Sequence, residues 1–149
     1  MLDGVQLIPR TRHADDRGFV TEILRSDEDH FRKFGQVYVT ACYPGVVKAW
    51  HRHVRQIDYF YAVSGTVKVG LYDDREGSPT RGEYQTVMLG ECGANAQLVI
   101  PAGIWHGLMA MHTFSMVLNV PTEVYDHAAP DEERVAWDAF EDIWTVENR

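Results

Sequence analysis

Apolar and polar residues exchange places almost one by one over residues 36–43, and the pattern returns at 65–72, 84–89 and 114–119. Alternation of period 2 predicts strands with one face on a core and the other turned outward. Residues 5–8 read as a short opening strand, 19–24 as another, and 59–63 as an apolar run that Gly65 ends. Residues 97–100 form a short strand stopped by Pro101, and 107–111 with 114–119 predict a hairpin turning through His112 and Thr113. Residues 15–18 make an Asp/Gly turn, and 73–82, with Gly77, Pro79 and Gly82, make a polar loop. Two helical pieces interrupt the strands. One covers 26–34, with Ser26 as its N-cap, and the other is a short helical segment after Pro130, followed by Ile143 and Trp144 as a packing anchor. Short strands at about 8–12-residue spacing, with turn signals between them, predict an antiparallel sandwich or barrel.

The length of 149 residues gives one domain over 1–149 with room for a sizeable core. A formal net charge of -8 excludes non-specific attraction to nucleic acid or an anionic membrane. Any anionic ligand therefore needs locally placed Arg or Lys. Two cysteines, Cys42 and Cys92, are too few for a disulfide framework. With neither a signal peptide nor a long apolar span in the pattern, a soluble cytoplasmic protein is the expectation.

The candidate chemistry lies in two places. His51 and His53 are two residues apart, so on a strand they share a face. Asp58 follows them, and a third histidine, His106, comes just after the Pro101/Gly103 turn. Three imidazoles and a carboxylate in one pocket suit a divalent-metal site for Zn, Fe, Mn or Ni, or a proton-transfer site. Trp50, Tyr59, Tyr61 and Trp105 are candidates for stacking on a sugar or a base, with core packing as the equal alternative.

The spacing Gly45-x5-His51-x-His53-x4-Asp58-x6-Gly65 resembles the first motif of the cupin superfamily, with Asp where Glu is usual, and Pro101-x-Gly103-x2-His106 resembles the second. Within that superfamily the chain is similar to the dTDP-4-dehydrorhamnose 3,5-epimerase family. The matching pieces are residues 16–22, Gln36, 45–51, 74–82, 100–107, Tyr125 and the tail from Trp137 to Trp144. The resemblance implies an all-β cupin fold, a double-stranded β-helix or jelly roll, working as a homodimer on a dTDP-sugar with no cofactor required. It places a base at His51, oriented by Asp138, with His106 on the keto oxygen. Arg17, Glu22, Gln36, Lys48 and Asn119 fall at substrate-binding positions. The chain departs from the family at three positions. Asp58 stands where the family has a lysine, Asn119 where it has an acid tyrosine, and Lys48 where it has an arginine. Tyr125 is the substitute acid candidate. With the usual acid and lysine gone, the resemblance implies proton exchange or single-site epimerisation rather than double inversion. The alternatives are a metal-dependent cupin enzyme using His51, His53, Asp58 and His106, and a pocket reused for a non-sugar ligand.

Overall fold

The computed structural model describes residues 1–146. Its strands are β1 (Gln6–Pro9), β2 (His13–Asp15), β3 (Gly18–Val20), β4 (Tyr38–Cys42), β5 (Val47–Arg52) and β6 (Asp58–Ser64). There follow β7 (Thr66–Asp73), β8 (Tyr84–Gly90), β9 (Ala96–Ile100), β10 (Ile104–Ala110), β11 (Ser115–Asn119) and β12 (Glu133–Arg134). One five-stranded sheet runs β1-β9-β6-β11-β4 and the other β12-β5-β10-β7-β8, while β2 and β3 pair only with each other. All strand pairs are antiparallel. No helix of the described residues is long and apolar enough to cross a membrane.

The inward positions of the two sheets meet in one core. Phe60, Leu98, Ile100 and Val117 come from the first sheet, and Val67, Val69, Leu71, Leu89, Ile104 and Leu108 from the second. These are the alternating apolar positions of the sequence, and the sandwich exists because each sheet must bury one face on the other. Gly65 marks the corner where the chain leaves β6 for β7. Its φ is 72°, and a Cβ there would lie 2.2 Å from Ser115 Oγ, so no other residue fits.

Four sequence expectations change. Residues 26–34 form turns and no helix, because tertiary bonds claim their polar groups. Glu28 pairs with Arg10, His30 Nε2 sits 2.9 Å from Gln97 Oε1, and Tyr59 Oη donates to the His30 carbonyl. Residues 19–24 pair only as far as Val20. The 107–111/114–119 hairpin does not form. Strand β10 pairs with β5 and β7, while β11 pairs with β4 and β6, so the link through His112 crosses between sheets. Alternation shows that a segment is a strand and does not show which sheet it joins. The tail has no helical segment among its described residues. It is extended, with β12 beside β5 and one turn closed by Ala139 N–H on the Ala136 carbonyl.

Ile143 and Trp144 do anchor the tail. Trp144 is buried, its ring centroid 5.0 Å from that of Trp50, and Phe140 packs against the same indole at 5.5 Å. Gly70 makes room for this, since a Cβ there would meet Trp144 Cη2 at 2.5 Å.

The polar loop after β7 is held by the buried Asp73. Arg75 Nη2 donates to its carboxylate at 2.8 Å, Ser78 Oγ at 2.5 Å and Thr80 Oγ1 at 2.7 Å. Burial alone would raise the Asp73 pKa, but the donors from Arg75, Ser78 and Thr80 outweigh it and hold the carboxyl below its ordinary 3.8. A folded-state pKa below the unfolded one adds stability that is present above about 4 and is lost as pH falls through the folded value. Asp73→Ala is therefore expected to cost about 2 kcal/mol at pH 7. Urea titrations from pH 7 to pH 2 should show a flatter acid dependence in the variant than in the wild type. Parallel curves would show that Asp73 does not supply this acid sensitivity.

Candidate active site

Strand register brings the histidines together. His51 on β5 stands directly opposite His106 on β10, and their rings are 4.1 Å apart in a T-shaped arrangement. His53, just past the end of β5, completes the cluster. Side-chain donor atoms of the three residues all lie within 4.8 Å of one another. Asp58, at the start of β6 and 1 % exposed, reaches the cluster from the facing sheet. Its Oδ2 lies 3.3 Å from His106 Nε2 and 3.5 Å from His53 Nε2.

Each of these groups is oriented from behind. His106 Nδ1 lies 2.9 Å from the Ile104 carbonyl, and His53 Nδ1 contacts the Asp131 carbonyl. A carbonyl only accepts, so in both rings Nδ1 carries the hydrogen and Nε2 faces Asp58. Asp58 Oδ1 accepts from Gln56 Nε2 at 2.9 Å and from Asn119 Nδ2 at 2.6 Å. Burial would raise the Asp58 pKa, but the neighbouring His106 and His53 rings and the Asn119 amide outweigh it, leaving it at about 2. The Asp131 carboxylate accepts three backbone N–H groups, those of Val54, Arg55 and Gln56, and so holds the loop that carries His53.

A cavity of about 450 Å³ opens beside the cluster. Tyr38 and Thr40 of β4 and Phe60 of β6 line it from one sheet, and Lys48, Trp50 and His51 of β5 from the other; Glu132, Arg134 and Val135 of the tail add a wall. Of the histidine cluster, His51 lines this cavity, while His53, Asp58 and His106 are buried. Burial pushes the His51 pKa well below 6.5, and His106 adds to the effect, so the imidazole is neutral at pH 7 with a lone pair to offer.

A family model described as dTDP-4-dehydrorhamnose 3,5-epimerase matches residues 1–144. The chain belongs to that family. It is 46 % identical over 130 residues to a probable low-salt glycan biosynthesis epimerase, Agl13, of Haloferax volcanii, covering 85 % of this chain and 82 % of that one. It is 40 % identical over 139 residues to the spore coat polysaccharide biosynthesis protein SpsL of Bacillus subtilis, covering 93 % and 91 %. Among solved structures, a dTDP sugar isomerase from Desulfovibrio desulfuricans superposes with a TM-score of 0.87 at 34 % identity, covering 93 % and 87 %. The all-β cupin jelly roll is thus the family's fold.

Against the family pattern, the structure gathers some expected residues and leaves others apart. His51 and Lys48 line the cavity, and Asn119 is buried behind it. His106, expected on the keto oxygen, is buried beside His51 and is not part of the cavity wall. Arg17 lies exposed on the β2–β3 hairpin, 2.5 Å from Asp15, and Glu22 pairs with Arg25 at 2.9 Å on the surface. Gln36 accepts from Tyr125 N–H at 3.3 Å, and Tyr125 is exposed with its ring against His127. Asp138 is exposed in the turn after Trp137. In a single chain, then, Arg17, Glu22, Gln36, Tyr125 and Asp138 lie outside the cavity wall. Trp50, Tyr59, Tyr61 and Trp105 are all buried, and of these Trp50 alone lines the cavity.

Sequence reasoning missed Tyr38, Asp131, Glu132 and Arg134. Strand pairing was the only signal for Tyr38. The other three lie in a tail whose path over β5 has no local pattern.

The donor set, half-buried at His51 and buried at the other three residues, fits a divalent cation. Among the described residues Asp58 Oδ2 and His106 Nε2 are both without a hydrogen-bond partner, and carbonyl-tethered Nδ1 groups with inward Nε2 lone pairs are how metal-binding imidazoles are held. His51, His53, Asp58 and His106 would hold such an ion, which would supply Lewis-acid polarisation of a nearby oxygen. Zn²⁺ at a hundredfold excess over its Kd is expected to stabilise the protein by about 2.7 kcal/mol. A thermal-shift titration should show the rise in wild type and its loss in His53→Ala. An equal rise in both would place the ion elsewhere.

Proposed function

We propose that the protein epimerises a nucleotide-linked 4-keto-6-deoxy sugar, with His51 removing the proton next to the ketone. The observation that carries this reading is the neutral, half-buried His51 imidazole at the wall of a cavity large enough for a sugar. A base for this step works best uncharged and held near the carbon it attacks. The protein's relatives support the substrate class: family membership, the sugar-biosynthesis names of Agl13 and SpsL, and the Desulfovibrio dTDP sugar isomerase. We assign the diphosphate to Lys48 and Arg134, a reading supported by their position on the cavity wall and by the need of an acidic chain for local cations. Lys48 Nζ already donates to the Ala41 carbonyl at 2.6 Å, which keeps the ammonium at the cavity edge. The two free cysteines and the nucleotide-linked substrate support a cytoplasmic location.

The chemistry draws on His51 and on donors that stabilise the enolate. No cofactor is required for it. A second reading, in which a divalent ion at His51, His53, Asp58 and His106 takes part, is supported by the unpartnered Asp58 Oδ2 and His106 Nε2. Loss of activity in chelator with recovery on adding one metal would favour it.

Incubation with dTDP-4-keto-6-deoxyglucose in deuterated water, followed by NMR, tests the main reading. Deuterium is expected at C3, C5 or both in wild type, and at least about 100-fold more slowly in His51→Asn. No exchange in wild type, with dTDP bound, would sink it.

We also propose a homodimer. The β2–β3 hairpin stands apart from both sheets with Phe19 58 % and Val20 65 % exposed, and β4 is an open sheet edge with exposed Val37 just ahead of it and exposed Val39 on it. Pairing would cover these surfaces and would be the route by which Arg17 and Glu22 reach a substrate. Light scattering should give twice the mass of one chain at micromolar concentration. A monomer that retains full activity would refute the pairing.

A further inference from the structure

Inversion at a carbon needs two groups. One takes a proton from one face of the planar enolate, and another gives a proton to the opposite face. With His51 as the first, the second must lie across the cavity and hold a proton that nothing else claims.

The polar groups of the cavity wall are few, and most are committed. Lys48 Nζ donates to the Ala41 carbonyl at 2.6 Å and to Thr40 Oγ1 at 3.2 Å. Arg134 pairs with Glu132 at 2.8 Å, and a guanidinium does not give up its proton. Trp50 Nε1 donates to the Trp137 carbonyl at 3.0 Å. Tyr38 remains.

Its hydroxyl geometry follows from its neighbour. Tyr38 on β4 is the direct register partner of Asn119 on β11. The Asn119 amide has one possible orientation, since its Oδ1 accepts the backbone N–H of Tyr59 at 3.0 Å. Its Nδ2 hydrogens therefore go to Asp58 Oδ1 at 2.6 Å and to the Tyr38 oxygen at 2.9 Å. Tyr38 thus uses its oxygen as an acceptor, and its own O–H is free to donate into the cavity. Tyr38 belongs to the sheet that faces the one carrying His51, and the two residues line the same cavity.

We infer that Tyr38 is the catalytic acid that returns the proton to the face opposite His51, so that this chain inverts its substrate without a tyrosine at position 119. The inference rests on the epimerase reading above. In the reaction His51 takes the α-proton, and the C–H electrons pass into the enolate. The enolate carbon then takes the Tyr38 phenolic proton, leaving a phenolate. Solvent reprotonates the phenolate and deprotonates His51, which restores both groups. Burial, with the nearby charge of Asp58, raises the Tyr38 pKa to about 12, so the hydroxyl is protonated when the enolate forms.

The test separates the two halves of the reaction. Wild type and Tyr38→Phe are incubated with dTDP-4-keto-6-deoxyglucose in deuterated water, and deuterium uptake and inversion at C3 and C5 are followed separately by NMR. Tyr38→Phe removes one oxygen and keeps the ring, and dTDP affinity and melting temperature report on its folding. The expected result is inversion slowed about 100-fold or more, with deuterium uptake at the original configuration within a few-fold of wild type. Inversion within threefold of wild type would overturn the assignment and leave the epimerase reading intact. Equal loss of uptake and inversion, with dTDP binding preserved, would also overturn it, because the hydroxyl would then be needed to remove the proton. A wild type that neither exchanges nor inverts would overturn the epimerase reading itself.

Discussion

A carboxylate without water needs donors around it, and the interior of this protein is arranged to supply them to Asp58. Loop residue Gln56 and strand residue Asn119 each give an N–H to one oxygen, and His53 and His106 face the other. These partners come from β11, from β10 and from the loop ahead of β6, so the carboxylate fixes three parts of the chain against one another. An uncompensated buried charge costs several kcal/mol, which makes the arrangement stringent. A partner that strays leaves a bare anion in the core. The same stringency aligns the site, because Asn119 holds Tyr38 and the Asp58 side holds the rings behind His51.

The departure from the family at this position changes the electrostatics. Where the resemblance places a lysine, this chain has an anion among imidazoles. An anion favours any positive species between itself and the two Nε2 atoms, whether a proton or a metal ion. A lysine would repel both. Asp58 also calls for Asn119, since a tyrosine there offers one hydrogen and the amide offers two. One amide hydrogen goes to the carboxylate and the other to Tyr38. The changes at positions 58 and 119 therefore work as a pair, with Tyr38 as the third member.

Much of this was legible in the sequence. Period-2 alternation marks most of the strands, because a half-buried strand admits few other patterns, and the spacing of His51, His53, Asp58 and His106 anticipates their convergence. The failures share a cause. Residues 26–34 have helix-start chemistry, yet Arg10, Gln97 and Tyr59, all distant in sequence, take their polar groups. The link between β10 and β11 reads as a hairpin, since local pattern cannot tell a turn within a sheet from a crossing between sheets. The resemblance places the orienting aspartate at Asp138, while the tail residue that holds the histidine loop is Asp131, which no local pattern marks. Tyr38 carries no local signal, and only its pairing with Asn119 across β4 and β11 marks it.

The tail holds a further consequence. Strand β5 carries His51, and on its outer side it pairs only with β12, from a segment that also supplies Asp131 and the Glu132, Arg134 and Val135 wall. Every other strand of both sheets is present once residue 119 has been made. The wall is a separate layer laid over two sheets that share a core of their own, and Trp144 pins it through its packing on Trp50. A protease that trims the tail would therefore take away one side of the cavity while leaving the residues of the sandwich core in the chain.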